Sequence, residues 1–335
     1  MKTFHFTEKP IEIFGLDVID RKKEMYHRLP DSQTKAVSEA VCSRSKTAGG
    51  ARVRFRTDSK TLHVKMSLGT ISPDICMPMC GSAGADVMLG AGLKSRFLGL
   101  VNPLSYDNHF PEAAFTLSGD IEQVTINLPR NEILTGLEIG IDDGAQLLAP
   151  LPYSRPGKLC FYGSSITEGG CSTRVSNAYT ACVARWLDMD YVNYGFSGAA
   201  RGEIAMADII AKRDFAAFIY DYDHNAPSAE FLKDTHQPFF RHIRKAKPEL
   251  PILILSRPDF DINAKDSVIR RDVIMKTYAD ARNEGDNNVW FLDGEQFFVG
   301  LGVEMCTVDR CHPNDLGFFR MAEAVYRMLD RILER

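Results

Sequence analysis

Leu159-Cys160-Phe161-Tyr162-Gly163-Ser164-Ser165-Ile166-Thr167-Glu168 is an apolar run that breaks into Gly-Ser-Ser. The run reads as a buried strand, and Gly-Ser-Ser does not continue such a strand comfortably. A hydroxyl just past the C-terminal end of a strand sits where open α/β sheets bind ligands. Ser165 is therefore a candidate nucleophile, and a base and an oxyanion site should lie downstream. Serines in glycine-containing turns usually serve only local hydrogen bonding, so the segment needs partners before it means catalysis. The Gly-x-Ser-x-Gly elbow of α/β-hydrolases does not fit, because Thr167 stands at the second glycine position.

Outward from this segment the chain divides into two kinds of sequence. Residues 158–335 alternate strand and helix. Strand candidates are Lys158–Tyr162, Tyr191–Tyr194, Ala216–Tyr220, Ile252–Leu255 and Val289–Leu292. Most are compact apolar runs, as parallel strands covered on both faces should be. Helical patterns occupy Ala178–Leu187, Glu203–Lys212, Ala229–Ala246, Val268–Asn283 and Leu316–Leu333, the last with Asp315 as its expected N-cap. This order predicts a three-layer α/β domain around a parallel five-stranded sheet.

Residues 1–150 read mostly as β. Arg52–Arg56 and Thr61–Met66 alternate polar and apolar residues across an Asp58-Ser59 turn. Further short runs follow at Ala85–Leu89, Ser95–Leu100, Ala114–Leu117, Gln123–Leu128 and Gly136–Ile141, punctuated by Gly, Pro, Asn and Asp. Short strands with frequent turns predict a β-sandwich. Ala149-Pro150-Leu151-Pro152-Tyr153-Ser154-Arg155-Pro156-Gly157 is a stiff connector. The expected organisation is a β-sandwich over 1–150 and an α/β catalytic domain over 157–335.

The chain has 335 residues, 44% apolar and 25% charged, with a formal net charge of -4 and a pI near 6.1. That balance gives no reason to expect nucleic acid or a membrane surface as a partner. The start has no apolar core of signal-peptide length, and no stretch approaches the roughly 18 apolar residues of a membrane span. A cytoplasmic location is expected, and a processed secreted form would look the same. Self-association as a homo-oligomer is left open. The eight cysteines do not read as a disulfide scaffold in a chain this long. Cys76 and Cys80, and the cluster Cys306, Cys311 and His312, do not supply four zinc ligands at recognisable spacing, so no metal site is expected.

Each strand end of the second domain carries polar residues. Acyl transfer by serine needs a base, a carboxylate that orients it and donors for the oxyanion. Asp309 and His312, at i and i+3, can pair within one local turn. Gly198 can present a bare backbone N–H, and Asn225 a side-chain N–H.

Gly163-Ser164-Ser165-Ile166-Thr167, Asn193-x-Gly195-x-Ser197-Gly198, Asp221-x-Asp223-x-Asn225 and Asp309-x-x-His312 occur in order at strand ends. This resembles the SGNH/GDSL hydrolases over roughly residues 157–335. The resemblance implies a flavodoxin-like three-layer domain. It also implies Ser165 as nucleophile, His312 and Asp309 completing a triad, and the Ser165 N–H, Gly198 and Asn225 as oxyanion donors. Asp221-Tyr222-Asp223-His224-Asn225-Ala226-Pro227, Tyr26-His27-Arg28-Leu29-Pro30 and the Gly50–Ser59 strand look similar to the subgroup with an N-terminal, jelly-roll-like β-sandwich. Family members usually carry Asp before the nucleophile, where this chain has Ser164. That keeps Ser164 as a competing hydroxyl.

Ser164, Asp223, His224 and Arg257 are candidates to line a substrate pocket. Their plainer readings are hydrogen-bonded neighbours or internal ion pairs, with Asp259 a partner for Arg257. Glu168 and Arg201 flank the site with no chemistry that singles them out. The expected activity is hydrolysis of small esters, foremost O-acetyl groups on carbohydrates, through an acyl-enzyme on Ser165 and without cofactor. The alternatives are a lipase- or thioesterase-type acylhydrolase, or a carbohydrate-binding protein whose hydrolase domain is catalytically impaired. The part played by the sandwich is open.

Overall fold

The computed structural model describes residues 1–334. The second half is built on five parallel strands: β1 (Lys158–Gly163), β2 (Asp190–Gly195), β3 (Ala217–Asp221), β4 (Ile252–Leu255) and β5 (Val289–Leu292). Their spatial order is β2-β1-β3-β4-β5, the flavodoxin-like order. Alternation along the strands separates two cores. Leu159, Phe161, Ala217, Ile219, Leu253 and Leu255 face one layer, and Cys160, Tyr162, Phe218, Tyr220, Ile252 and Ile254 face the other. Both faces are covered by helices, which is why these strands read as continuous apolar runs.

Six α-helices cover the sheet or connect its strands: α1 (Ser165–Glu168), α2 (Tyr179–Leu187), α3 (Ile204–Ala211), α4 (Ala229–Ala246), α5 (Ala264–Asn283) and α6 (Asp315–Leu333). The apolar stripe Phe318, Met321, Ala322, Val325, Leu329 and Ile332 of α6 is buried in the core shared with α2. Burying each of the larger side chains is worth about 1.5–3 kcal/mol. Two helix starts differ from expectation. Asn314, not Asp315, caps α6 and accepts from Leu316 N–H and Gly317 N–H. Asp315 is instead engaged by Thr173 and by Asn177 Nδ2. Helix α5 begins at Ala264 rather than Val268, because Ala264, Lys265 and Asp266 are exposed and Ser267 is polar, so its first turn carries no apolar period.

The first half is a β-sandwich. One sheet runs Lys2–His5, Leu134–Ile141, Thr61–Leu68, Glu112–Thr116. The other runs Leu147–Leu148, Arg52–Thr57, Glu122–Asn127, Ala85–Leu89, Arg96–Val101, with Glu12–Phe14 also on Arg52–Thr57. Val53, Phe55, Val64, Met66, Val87, Val124, Ile126, Leu137 and Ile139 fill the space between. The strands not visible in the sequence, Lys2–His5, Glu12–Phe14, Val18–Asp20, Met25–His27 and Leu147–Leu148, are two to four residues long. So short a run cannot display a period of two.

Arginines join the two halves. Arg52 reaches the Tyr191 carbonyl and pairs with Asp190 on β2. Arg130 donates to the Gly169 carbonyl and to Ser172 Oγ beyond α1. No helix among the described residues is long and apolar enough to cross a membrane.

Candidate active site

Ser165 stands where β1 turns into α1, at the point where the strand order reverses. This crevice outside the carboxyl ends of the strands is the ligand position of open α/β sheets. The turn is tight for reasons written in its glycines. A Cβ on Gly163 would lie 2.4 Å from the Asp221 carbonyl oxygen, and one on Gly195 would lie 2.2 Å from Glu168 N. Neither could be accommodated, so strands β1, β2 and β3 bring their ends together only with glycine at these places. Ser164 Oγ accepts from Ile166 N–H at 3.1 Å and caps α1. Its hydroxyl is therefore committed to the backbone, while the Ser165 hydroxyl is free to face the cleft.

Ser165 Oγ lies 2.8 Å from His312 Nε2, and His312 Nδ1 lies 2.7 Å from Asp309 Oδ2. The second carboxylate oxygen, Asp309 Oδ1, accepts from His312 N–H at 2.7 Å and Cys311 N–H at 3.0 Å. Burial alone would raise the Asp309 pKa. The two backbone N–H groups and the imidazole outweigh it and hold the carboxyl below its usual value. Ser165, His312 and Asp309 thus form one hydrogen-bonded line, the arrangement expected of a nucleophile, a base and an orienting carboxylate. Asp309 and His312 sit in a loop closed by the Thr307–Pro313 bridge and the Val308 N–H to His312 carbonyl bond. Asn263 Nδ2 ties the same loop to α5 through the Arg310 carbonyl.

Gly198 follows β2 with φ +69°, a conformation that other residues adopt only with strain. A Cβ there would meet nothing within 4 Å, so backbone conformation and not space requires the glycine. Asn225 Nδ2 donates to the Phe196 carbonyl at 3.0 Å. An amide nitrogen carries two hydrogens, so one remains for a second acceptor.

The four candidate pocket residues are distributed differently. Ser164 is taken up by its cap, as above. Asp223 is buried and occupied by Arg257 Nε at 3.3 Å and Arg270 Nη1 at 3.2 Å. Arg257 also reaches Asp266. Asp223 and Arg257 thus form an internal ion cluster rather than a surface that faces solvent. His224 Nε2 is 2.9 Å from Asp259 Oδ1, whose other oxygen accepts from Asn263. Burial alone would lower the His224 pKa, but Asp259 and Cys311 push it up to about 10. Asp259 therefore partners His224 first, with Arg257 Nε at 3.9 Å. The ligand atoms of His224, Asp259 and Cys311 come within 4.8 Å of one another. His224 Nε2 and the Asn263 amide already satisfy the two oxygens of the carboxylate, so hydrogen bonding accounts for the group. Asp221, at the end of β3, accepts from Thr167 Oγ1 and Tyr179 OH, each at 2.7 Å. Its burial raises its pKa to about 6.

Residues 157–330 match the model of the GDSL-like lipase/acylhydrolase family, and residues 4–147 match that of the N-terminus of SGNH-hydrolase-type esterases. No curated protein matches the chain significantly. Among solved structures, the chain is similar to a protein described as a GDSL-like lipase from Bacteroides ovatus. Identity is 25% over 99% of this chain and 98% of that chain, with a TM-score of 0.85. It is also similar to a salicylyl-acyltransferase from a tetracycline biosynthetic pathway, at 20% identity over 99% and 97% of the two chains, with a TM-score of 0.80. A family two carbohydrate esterase from Clostridium thermocellum, solved with cellohexaose, shares 17% identity over 85% and 93% of the chains, with a TM-score of 0.62. The last two show the fold. The two family matches together take in the sandwich, the connector's far side and the parallel sheet, so the chain belongs to the GDSL-like lipase/acylhydrolase family and is a hydrolase acting on esters.

Proposed function

We propose that this protein is a serine esterase that removes short acyl groups, foremost O-acetyl, from carbohydrates. The observation that carries the catalytic part is the continuous line from Ser165 Oγ through His312 to Asp309. In this reading His312 Nε2 takes the hydroxyl proton as Ser165 Oγ attacks the ester carbonyl. The oxyanion is met by the N–H groups of Ser165 and Gly198 and by Asn225 Nδ2. His312 then hands the proton to the departing alcohol, leaving an acyl-enzyme. Water, deprotonated by the same imidazole, then attacks the acyl carbon, the bond to Ser165 Oγ breaks, and His312 returns the proton to that oxygen as the acid leaves. Every proton is carried by His312, and Asp309 keeps the ring in the required tautomer.

Support for a short acyl group comes from the N-terminal half. A Cβ placed on Gly170 would lie 3.6 Å from Ser165 Cβ and 3.2 Å from Met77 Cε. Met77 thus lies in the neighbourhood of the nucleophile, and in this reading it bounds the acyl side of the cleft. Carbohydrate as the alcohol part follows the carbohydrate esterases among proteins of like fold.

Ser165→Ala is expected to lower p-nitrophenyl acetate turnover at least about 10³-fold, the scale seen when a triad member is lost. A serine-directed phosphonate should label Ser165 alone. Wild-type turnover by the variant, or labelling of Ser164, would sink the assignment. Release of acetate from acetylated xylan or mannan, against none from long-chain esters, tests the substrate class.

A further inference from the structure

The oxyanion loop leaves β2 at Gly195 and runs through Phe196, Ser197 and Gly198. A charged pair that crosses between the two halves of the molecule holds it. Glu168, the last residue of α1, is buried, and one of its oxygens, Oε2, accepts from Ser197 N–H at 3.2 Å and from Ser197 Oγ–H. The other, Oε1, accepts from Arg28 Nη2 at 2.8 Å. Arg28 belongs to the N-terminal half, directly after the strand Met25–His27, and its side chain is 0% exposed.

The Arg28 guanidinium does more than neutralise Glu168. Nη1 donates to the carbonyls of Asn193 at 3.1 Å and Gly195 at 2.6 Å, the strand end from which the loop departs. Nη2 also donates to the Arg44 carbonyl at 2.6 Å and to Thr47 Oγ1 at 3.2 Å, both in the N-terminal half. Its Cζ lies 4.9 Å from the Phe196 ring centroid. One cation therefore grips the strand end, the loop's aromatic residue and the carboxylate that holds Ser197. A planar fork is needed to reach acceptors in so many directions, and lysine has none.

Gly198 adjoins Ser197, and its N–H is a donor in the mechanism above. Its φ of +69° gives the glycine conformational freedom that something else must restrict. Glu168 holds the neighbouring Ser197 from the nucleophile's own helix. The same short helix thus begins with Ser165 and ends with the residue that sets the loop opposite it.

We propose that Arg28 and Glu168 are positioning residues. Through Ser197 they fix the Gly198 N–H against Ser165, so the N-terminal β-sandwich is an integral part of the oxyanion site. The inference rests on the esterase reading above. It assigns the sandwich a part in the chemical step rather than in substrate capture alone.

The experiment uses the full chain and two variants. Ser197→Ala removes one hydroxyl from the loop and leaves the buried pair intact. Arg28→Ala removes the bridging cation, and methylguanidinium is added back at millimolar concentration. Donor misplacement should lower kcat for p-nitrophenyl acetate about 10-fold in Ser197→Ala and about 100-fold in Arg28→Ala, below or near the loss of a whole donor. KM should stay within about twofold in both, since the interaction is made in the transition state. A boronic acid that mimics the tetrahedral state should weaken by the same factor as kcat/KM. Methylguanidinium should restore a measurable part of kcat in Arg28→Ala and do nothing to wild type. A general loss of fold would instead lower the active fraction, leaving the boronate affinity of the surviving molecules unchanged, and that pattern counts against the proposal. Wild-type kcat in folded Ser197→Ala and Arg28→Ala would overturn it while an inactive Ser165→Ala still upheld the nucleophile. An active Ser165→Ala would fail the esterase reading and the proposal with it.

Discussion

Ser164 occupies the place where the family usually carries Asp, and its hydroxyl caps α1 by accepting from Ile166 N–H. Aspartate and serine are both good N-caps, because each offers an oxygen to the first free backbone donors of a helix. The departure is therefore conservative in the one contact the side chain makes. Ser164→Asp is expected to keep kcat within about threefold and to leave stability near wild type. Ser164→Ala, which removes the cap, should cost about 1 kcal/mol in urea unfolding. A Ser164→Asp variant without activity would show that the position does more than cap. Ser165 has its hydroxyl on His312 Nε2 where Ser164 has its own on the backbone, and in the proposed mechanism that difference decides which hydroxyl reacts.

At the scale of elements, chemistry is spread over strand ends and the loops that follow. Strand β3 ends at Asp221 and the loop after it carries Asp223, His224 and Asn225, pinned from α5 and the β4–α5 connection by Arg270, Arg257 and Asp259. His224, facing Asp259, Cys311, Arg257 and Asp221, is the member of this group whose titration is pushed into the alkaline range. Its folded pKa of about 10 lies above the ordinary 6.5, so the folded state binds the proton more tightly than the unfolded chain does. The stabilisation is complete below about pH 6.5 and is lost as pH rises through 10. The melting temperature of wild type should therefore fall between about pH 6.5 and 10. In His224→Gln the decline over the same window should be clearly shallower. Parallel curves for the two proteins would remove His224 as the source.

For the whole molecule, what matters is that the N-terminal half reaches the catalytic half at several points. Arg52 and Arg130 join the two bodies, Arg28 reaches the oxyanion loop, and Met77 lies in the neighbourhood of Ser165. Under the proposed reading Met77 bounds the acyl side and so bears on specificity. Met77→Ala should widen the acyl side and raise kcat/KM for butyrate and hexanoate esters several-fold relative to acetate. A p-nitrophenyl ester series from acetate to octanoate measures it, and an unchanged chain-length profile would place the acyl group elsewhere.

Much of the architecture is legible in the chain because its signals are local. Compact apolar runs separated by helical stripes announce the parallel sheet, and Gly-Ser-Ser at a strand end locates Ser165. Asp309 and His312 are legible as a pair because they lie within one turn. The N-cap of α6 is ambiguous by one residue, because Asn314 and Asp315 both suit that position and only geometry chooses between them. Very short sandwich strands escape because pairing with a neighbour, not their own composition, makes them strands. Asp223 and Arg257 carry no mark of being an internal pair, since a charge 34 residues away in sequence becomes a neighbour only after β3 and β4 align. Glu168 is visible but indistinct, and Arg28 gives no catalytic signal at all. The linear chain settles the residue types and the short spacings that chemistry needs at each strand end. Packing settles which distant charges meet there, because the bond from Arg28 to Glu168 spans 140 residues and forms only when sandwich and sheet come together.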